Sequence, residues 1–280
     1  MSAERFEPHR AFLVRLAYRM LGSIAEAEDI VQDAFLRWQA APTEEVVEPR
    51  AYLARIVSRL CLDRMKSAQV RRESYVGTWL PEPVIEPPAE SLANDLSVAL
   101  LLTLERLSPL ERAAFLLHDV FDMDYAEVAT TLERSEAACR QLAARARDHV
   151  RDERPRFTPN PDATARLGDA FVRAVMTGEL APITSMLAED AILYTDGGGK
   201  RHAALNPIYG RDKIMRFLAG VTTKWPPPPP KDIQRTTING LPGFVFHAEE
   251  GVETLAFELD GDFIVAIYGV RNPDKVKHLA

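Results

Sequence analysis

Apolar residues recur at helical spacing through residues 1–73, and no segment there alternates apolar with polar, so the pattern predicts helices only. Ser23 and Glu26 have the spacing of a capping box and open a helix whose buried stripe is Ala27, Ile30, Val31, Ala34, Phe35 and Trp38. Asp29, Gln32, Asp33 and Arg37 face away from that stripe. After a polar loop at 42–49, a long helix begins near Arg50 and buries Leu53, Ile56, Val57 and Leu60. Arg55, Arg59 and Lys66 then lie near one another on a different face.

From 74 to 95 the periodicity is lost and Pro81, Pro83, Pro87 and Pro88 appear, which predicts an extended connector. It carries Glu82, Glu86, Glu90 and Asp95 and no basic residue. Helical spacing returns over 96–152. Ser108-Pro109-Leu110-Glu111 combines a capping box with proline at the first helical position, and Asp124-Tyr125-Ala126-Glu127 repeats the box. A helix from Tyr125 to Leu132, a short turn and a second helix capped by Ser135 make a helix-turn-helix.

Beyond a proline-containing joint near 155–161 the pattern changes class, because helices are followed by strands of period two. Helices are expected at 163–177, 182–188 and 211–222, and strands at 191–195, 232–238, 243–248, 253–259 and 263–270. The last four strands read as an antiparallel meander, with Asp260-Gly261 as a hairpin turn. The run Pro226 to Pro230 reads as a stiff polyproline loop. The domains are therefore expected at 1–73, 96–152 and 163–280, joined by linkers at 74–95 and 153–162.

Charge sharpens this picture. The chain of 280 residues has a net charge of −7, which is unfavourable for a protein that holds duplex DNA unaided. The basic residues are nonetheless concentrated. Arg50, Arg55, Arg59, Arg64, Lys66, Arg71 and Arg72 stand against Asp63 alone, and Arg134, Arg140, Arg145, Arg147 and Arg151 against Glu136 and Asp148. Two basic stripes in an acidic chain suggest two DNA-facing helices on a body whose other faces meet something else. There is no run of 18 apolar residues and no apolar signal core in residues 1–10, so a cytoplasmic protein without membrane insertion is expected. Cys61 and Cys139 lack neighbours at ligand spacing, which points to reduced packing residues and no metal site.

Residue strings now permit a family. Ala25-Glu26-Ala27-Glu28-Asp29-Ile30-Val31-Gln32-Asp33-Ala34-Phe35-Leu36-Arg37 resembles the polymerase-clamp-binding helix of extracytoplasmic-function (ECF) sigma factors. Pro49-Arg50-Ala51-Tyr52-Leu53 through Leu62-Asp63-Arg64 resembles their minus-ten helix, and Leu107-Ser108-Pro109-Leu110-Glu111-Arg112-Ala113 with the helix-turn-helix is similar to their minus-thirty-five-reading domain. Trp79-Leu80-Pro81-Glu82-Pro83-Val84, Asp196-Gly197-Gly198-Gly199-Lys200 and Asn272-Pro273-Asp274-Lys275 look like signatures of the subgroup with a SnoaL-like C-terminal extension. Val84 stands where that linker motif more often has Leu. Glu133 stands where the turn of the helix-turn-helix often has Gly, so a Glu there must avoid or tolerate a left-handed backbone.

The resemblance implies a multidomain fold, with two all-α domains that bind polymerase and DNA followed by an α+β cone of the SnoaL and ketosteroid-isomerase type. Its implied partners are core RNA polymerase and promoter DNA, with no cofactor and no catalysis. Asp29, Gln32 and Asp33 are the implied clamp contacts. Arg55, Arg59, Arg64, Lys66, Arg71 and Arg72 would follow promoter phosphates. In the recognition helix, Glu136, Arg140 and Gln141 would reach base edges, and Arg145 and Arg147 would hold phosphates. The loop before the minus-ten helix offers no aromatic residue for stacking an extruded base. The acidic linker would suit a positively charged polymerase channel.

For the extension, an intramolecular contact surface is the leading expectation. Trp79, Pro81, Asp196, Gly197, Gly198, Gly199, Lys200, Asn272, Pro273, Asp274 and Lys275 are its regulatory candidates. A small-molecule ligand in the cone, or chemistry by Tyr194, Asp196, His202 and His247, stays open as an alternative. So do an autonomous helix-turn-helix regulator and an isomerase or cyclase fused to a DNA-binding module.

Overall fold

Local signals begin and end most of the helices. In the computed structural model, which describes residues 2–41, 46–72, 75–85, 98–153, 161–177, 179–224 and 232–280, Ser23 accepts the Glu26 N–H at 3.2 Å and starts a 17-residue helix. The helix before it stops at Gly22, whose φ of +71° suits glycine. Both boxes at Ser108 and Asp124 form in full.

The chain divides into two units, Met1–Ser74 with Ala99–Arg154 and Tyr75–Val98 with Pro155–Ala280. The first contains α1 (Ser2–Phe6), α2 (Arg10–Leu21), α3 (Ile24–Ala40), α4 (Pro49–Arg72), α5 (Val98–Glu105, whose first residue is the boundary), α6 (Pro109–Phe115), α7 (Tyr125–Leu132) and α8 (Glu136–Glu153). The stripe expected on α3 is buried, with Trp38 wholly enclosed and edge-on to Tyr52 at 5.7 Å. Phe35 is only half-buried, against Phe6 at 5.0 Å. α6 runs into a π-helical turn over Leu116–Val120, which no spacing rule anticipates.

Inside this unit the two expected helical domains are tied by one buried cation. Arg112 of α6 is 1% exposed; its Nη1 donates to the Met20 carbonyl of α2 at 2.6 Å and pairs with Glu105 Oε1 at 2.7 Å. Cys61 and Cys139 are buried and free, and burial, followed by the nearby Glu26 carboxylate, pushes the Cys61 thiol far up, so it stays protonated.

The second unit holds α9 (Pro161–Thr177), α10 (Ala181–Thr184), α11 (Arg211–Lys224), α12 (Pro273–Val276) and the strands β1 (Leu187–Asp196), β2 (Ile208–Tyr209), β3 (Asp232–Ile238), β4 (Leu241–Ala248), β5 (Gly251–Asp260) and β6 (Phe263–Val270). They form one sheet in the order β2-β1-β6-β5-β4-β3. The meander β3 to β6 is antiparallel as expected, while β1 lies parallel to β6, pairing Tyr194 with Tyr268 and Asp196 with Val270. Leu167 and Ala174 of α9, Ile214 of α11 and Leu193, Phe244, Phe257, Leu259 and Ile267 of the sheet make its core. This is the α+β cone that the resemblance implied. The helix expected at 182–188 is shorter, ending at Thr184, because Leu187 pairs with Ile264 and strand pairing overrides local helical spacing.

Residues 75–85 cluster with this second unit, and Ile85 makes an antiparallel bridge to Ile238 at the end of β3. Glu86, Pro87, Pro88, Glu90, Asp95 and the run Pro226 to Pro230 lie outside the described residues. Among the described residues, no helix is long and apolar enough to cross a membrane.

Candidate functional site

Asp196 closes β1 and is 1% exposed, so its carboxylate needs partners. It has four donors. Oδ1 accepts from the Tyr75 hydroxyl at 2.6 Å and the Gly198 N–H at 3.0 Å, and Oδ2 from the Leu80 N–H at 2.9 Å and Lys275 Nζ at 2.7 Å. Lys275 also donates to the Leu80 carbonyl at 2.5 Å, and its ammonium lies 4.2 Å from the Trp79 ring centroid and 4.9 Å from that of Tyr75. A carboxylate, a carbonyl and two aromatic faces thus satisfy one nearly buried lysine. Burial, reinforced by the Asp196 carboxylate, pushes the Tyr75 phenol far up, so it remains a donor.

The two remaining motif elements hold this clasp in shape. Asn272 caps α12 by accepting from Asp274 N–H at 3.0 Å and donates from Nδ2 to the Tyr75 oxygen at 2.9 Å. A Cβ on Gly198, whose φ is +58°, would come within 2.2 Å of that Asn272 amide, and one on Gly197 within 2.1 Å of the Arg201 carbonyl. Close approach therefore requires glycine at both places. Lys200 pairs with Asp274 at 2.6 Å, but both side chains are more than half exposed, so this contact contributes little. The exposed Pro273 starts α12, and Pro81 is buried.

A second clasp, which the sequence reading missed, holds the other end of the linker. Asn239, 1% exposed with φ of +49°, donates its N–H to the Val84 carbonyl at 2.9 Å and accepts the Val84 N–H on Oδ1 at 2.5 Å. His278 bonds the Pro83 carbonyl at 2.8 Å. The Asn239-Gly240 dipeptide is a hairpin signal legible in the sequence, but nothing local says that its amide faces a segment 155 residues away.

In the first unit, Asp29, Gln32 and Asp33 are exposed on α3, around Leu36 at 54% exposure. An apolar centre with an acidic rim has the composition of a protein-docking patch, and Leu36 is the member that the reading of charges missed. On α4 the basic residues already have partners. Arg59 pairs with Glu133 at 2.6 Å and reaches the Thr131 carbonyl at 3.5 Å, Arg64 meets Glu26 at 3.5 Å, and Lys66 meets Asp63 at 3.2 Å. Arg55 lies over Tyr52 at 5.1 Å. Arg71 and Arg72 close α4, but their side chains lie outside the described ones.

Glu133 does adopt the left-handed backbone, with φ of +54°, and its carboxylate is the partner of Arg59. A non-glycine residue there costs about 1 kcal/mol, and a half-exposed ion pair returns less than that. Glu133→Gly is therefore expected to raise thermal stability slightly, by up to about 1 kcal/mol. A lower melting temperature would mean that the pair outweighs the backbone cost.

On α8, Ser135 accepts the Ala138 N–H at 3.2 Å and caps the helix as expected. Glu136, Arg140, Gln141 and Arg145 are exposed. Glu136 and Arg140 pair at 2.6 Å, Arg140 lies over Tyr125 at 5.1 Å, and Arg145 meets Glu111 at 3.2 Å. Arg147 instead braces the motif, donating to Asp119 at 2.6 Å and to the Tyr125 hydroxyl at 2.8 Å.

The second unit also has a cavity of about 650 Å³, lined in part by Ile85, Leu167, Gly168, Arg235, Phe244 and Phe257. Arg235 is held there by Asp169 at 2.9 Å. Tyr194, Asp196, His202 and His247 do not line it. Elsewhere on the sheet, the buried Glu258 accepts from Tyr268 at 2.6 Å, and burial pushes its pKa up.

Comparison with known proteins gives these surfaces a context. The sigma-70 region 2 family matches residues 5–71 and the sigma-70 region 4 family residues 97–150. The ECF RNA polymerase sigma factor SigJ of Mycobacterium tuberculosis is 38% identical, with 98% of this chain and 93% of the relative covered. The crystal structure of the Mycobacterium tuberculosis SigJ superposes with a TM-score of 0.80 at 34% identity, over 98% of each chain. The chain belongs to the ECF RNA polymerase sigma factors, in the subgroup that carries a SnoaL-like C-terminal extension.

Proposed function

We propose that this sigma factor directs core RNA polymerase to its promoters in the cytoplasm, and that its C-terminal unit modulates it in cis by holding the linker. The observation that carries the cis reading is the buried Asp196–Lys275 pair closed on the main chain of Leu80. A linker engaged there is withdrawn from the polymerase channel that its acidic composition suits. Docked and released states differ in polymerase competence, and the clasp biases between them. Reporter transcription at matched expression tests this. Deleting residues 272–280 removes Asn272 and Lys275 and should raise promoter activity, whereas removing everything from residue 158 should lower it if the unit also helps holoenzyme form. Equal transcription by all forms would remove the cis reading.

The exposed patch around Asp29, Gln32, Asp33 and Leu36 is the polymerase-docking surface in this reading. Arg55, Arg59, Arg64, Lys66, Arg71 and Arg72 serve the minus-ten side, and Arg59, Arg64 and Lys66 must leave their present carboxylate partners to reach phosphates. Arg140→Ala should weaken binding of the cognate promoter by about 1–3 kcal/mol if its guanidinium meets a base edge. Arg145→Ala should instead weaken all promoters alike. Competition binding of holoenzyme to cognate and scrambled minus-thirty-five sequences separates the two outcomes.

A further inference from the structure

We infer that the linker-holding face of the C-terminal unit is a peptide-recognition groove. Its partner is an extended, proline-spaced segment of another protein carrying the pattern aromatic-Leu-Pro-acid-Pro. The inference rests on the cis reading above and extends it to a competitor in trans.

The groove reads mostly main chain. Asp196 and Lys275 take the N–H and carbonyl of Leu80, Asn239 takes both groups of Val84, and His278 takes the carbonyl of Pro83. Such bonds do not depend on which chain supplies the segment. They resemble strand addition at a sheet edge, and the bridge from Ile85 to Ile238 is made to β3, the outer strand of the sheet.

Between the clasps, Pro81 and Pro83 have no N–H to leave unsatisfied, and their fixed φ keeps the segment extended at low entropic cost. Side-chain selectivity comes from Leu80, which is wholly buried, and from Trp79 against the Lys275 ammonium. Asn239 is the positioning residue of the far end. Glycine would serve its positive φ equally well, so the asparagine side chain is explained by the linker amide that it holds.

A tethered segment competes at an effective concentration on the order of millimolar. A partner segment must therefore bind in the micromolar range to displace it, and displacement frees the linker without any change in the sigma regions themselves.

The probe is a fluorescein-labelled synthetic peptide of residues 75–85, titrated by anisotropy against the full chain. A chain whose own linker is disabled by Trp79→Ala with Leu80→Ser should bind it saturably with Kd below about 100 µM. The intact chain should bind at least about tenfold more weakly, because the tethered linker occupies the groove. Adding Asn239→Ala to the disabled chain should weaken binding at least fivefold, and a peptide carrying Leu80→Ser should not bind. Pro81→Gly with Pro83→Gly provides a second disabled chain, and thermal melts identify which of the two remains folded.

A measurement on the wild-type chain needs no variant: millimolar unlabelled peptide should speed hydrogen exchange at the Leu80 and Val84 amides at least fivefold. Folded, disabled chains that ignore the peptide, or wild-type exchange that it leaves unchanged, would overturn the groove. Unchanged reporter transcription by the disabled chains would instead remove cis control, and leave the peptide-binding result to stand by itself.

Discussion

Asp196→Ala should release the linker and raise transcription from a cognate promoter. The substitution leaves the ammonium of Lys275 almost buried without its carboxylate, and it strips the Tyr75 hydroxyl and the Leu80 N–H of their acceptor. Breaking a buried pair by removing one partner costs about 3–5 kcal/mol, which shifts a docking equilibrium more than a hundredfold. Lys275→Met combined with Asp196→Leu should cost less than either single change, since no charge is then left behind. Hydrogen exchange at the Leu80 amide reports docking, and a promoter reporter reports activity. Faster exchange with unchanged transcription would show that linker release does not gate the factor.

Arg112→Ala should loosen the first unit by a comparable amount. It removes a side chain that is 1% exposed, and with it the donor to the Met20 carbonyl and the cation facing Glu105. The expected loss of about 3 kcal/mol corresponds to a fall of roughly 10 °C in melting temperature for a unit of this size. Because Met20 belongs to region 2 and Arg112 to region 4, the variant should also let the two regions separate more readily. Limited proteolysis near residue 74 and a thermal melt measure the two effects. A melt that is unchanged would show that Arg112 makes no net contribution to the tie.

What was legible in the sequence was local or periodic. The cap at Ser23, the boxes at Ser108 and Asp124 and the turn at Asp260-Gly261 act within a few residues, so composition and spacing reveal them. The motifs around Asp196 and Asn272 could be picked out by their resemblance to family signatures. The individual side chains they meet could not. Tyr75 lies 121 residues from Asp196, and His278 lies 195 from Pro83; no spacing rule reaches that far. The composition of residues 75–85 read only as an extended connector, yet Leu80 and the acidic Glu82 are buried in the second unit because hydrogen bonds from distant strands satisfy the backbone. The basic stripe on α4 was visible as charge, but its pairing with Glu133 and Glu26 was not.

The parallel pairing of β1 with β6 bears on how a newly made chain behaves during synthesis. β1 cannot find its parallel neighbour β6 until residues 263–270 exist, and the clasp needs Lys275 as well. The linker, in contrast, is made 195 residues earlier than that lysine. At about 5–20 residues per second, translation leaves Leu80 without its holder for roughly 10–40 s. Both sigma regions are complete by residue 150, so each molecule passes through a window in which both regions exist and the clasp on the linker does not. In a cell where the factor is translated close to active polymerase, the rate of elongation through residues 155–275 sets how long that window stays open.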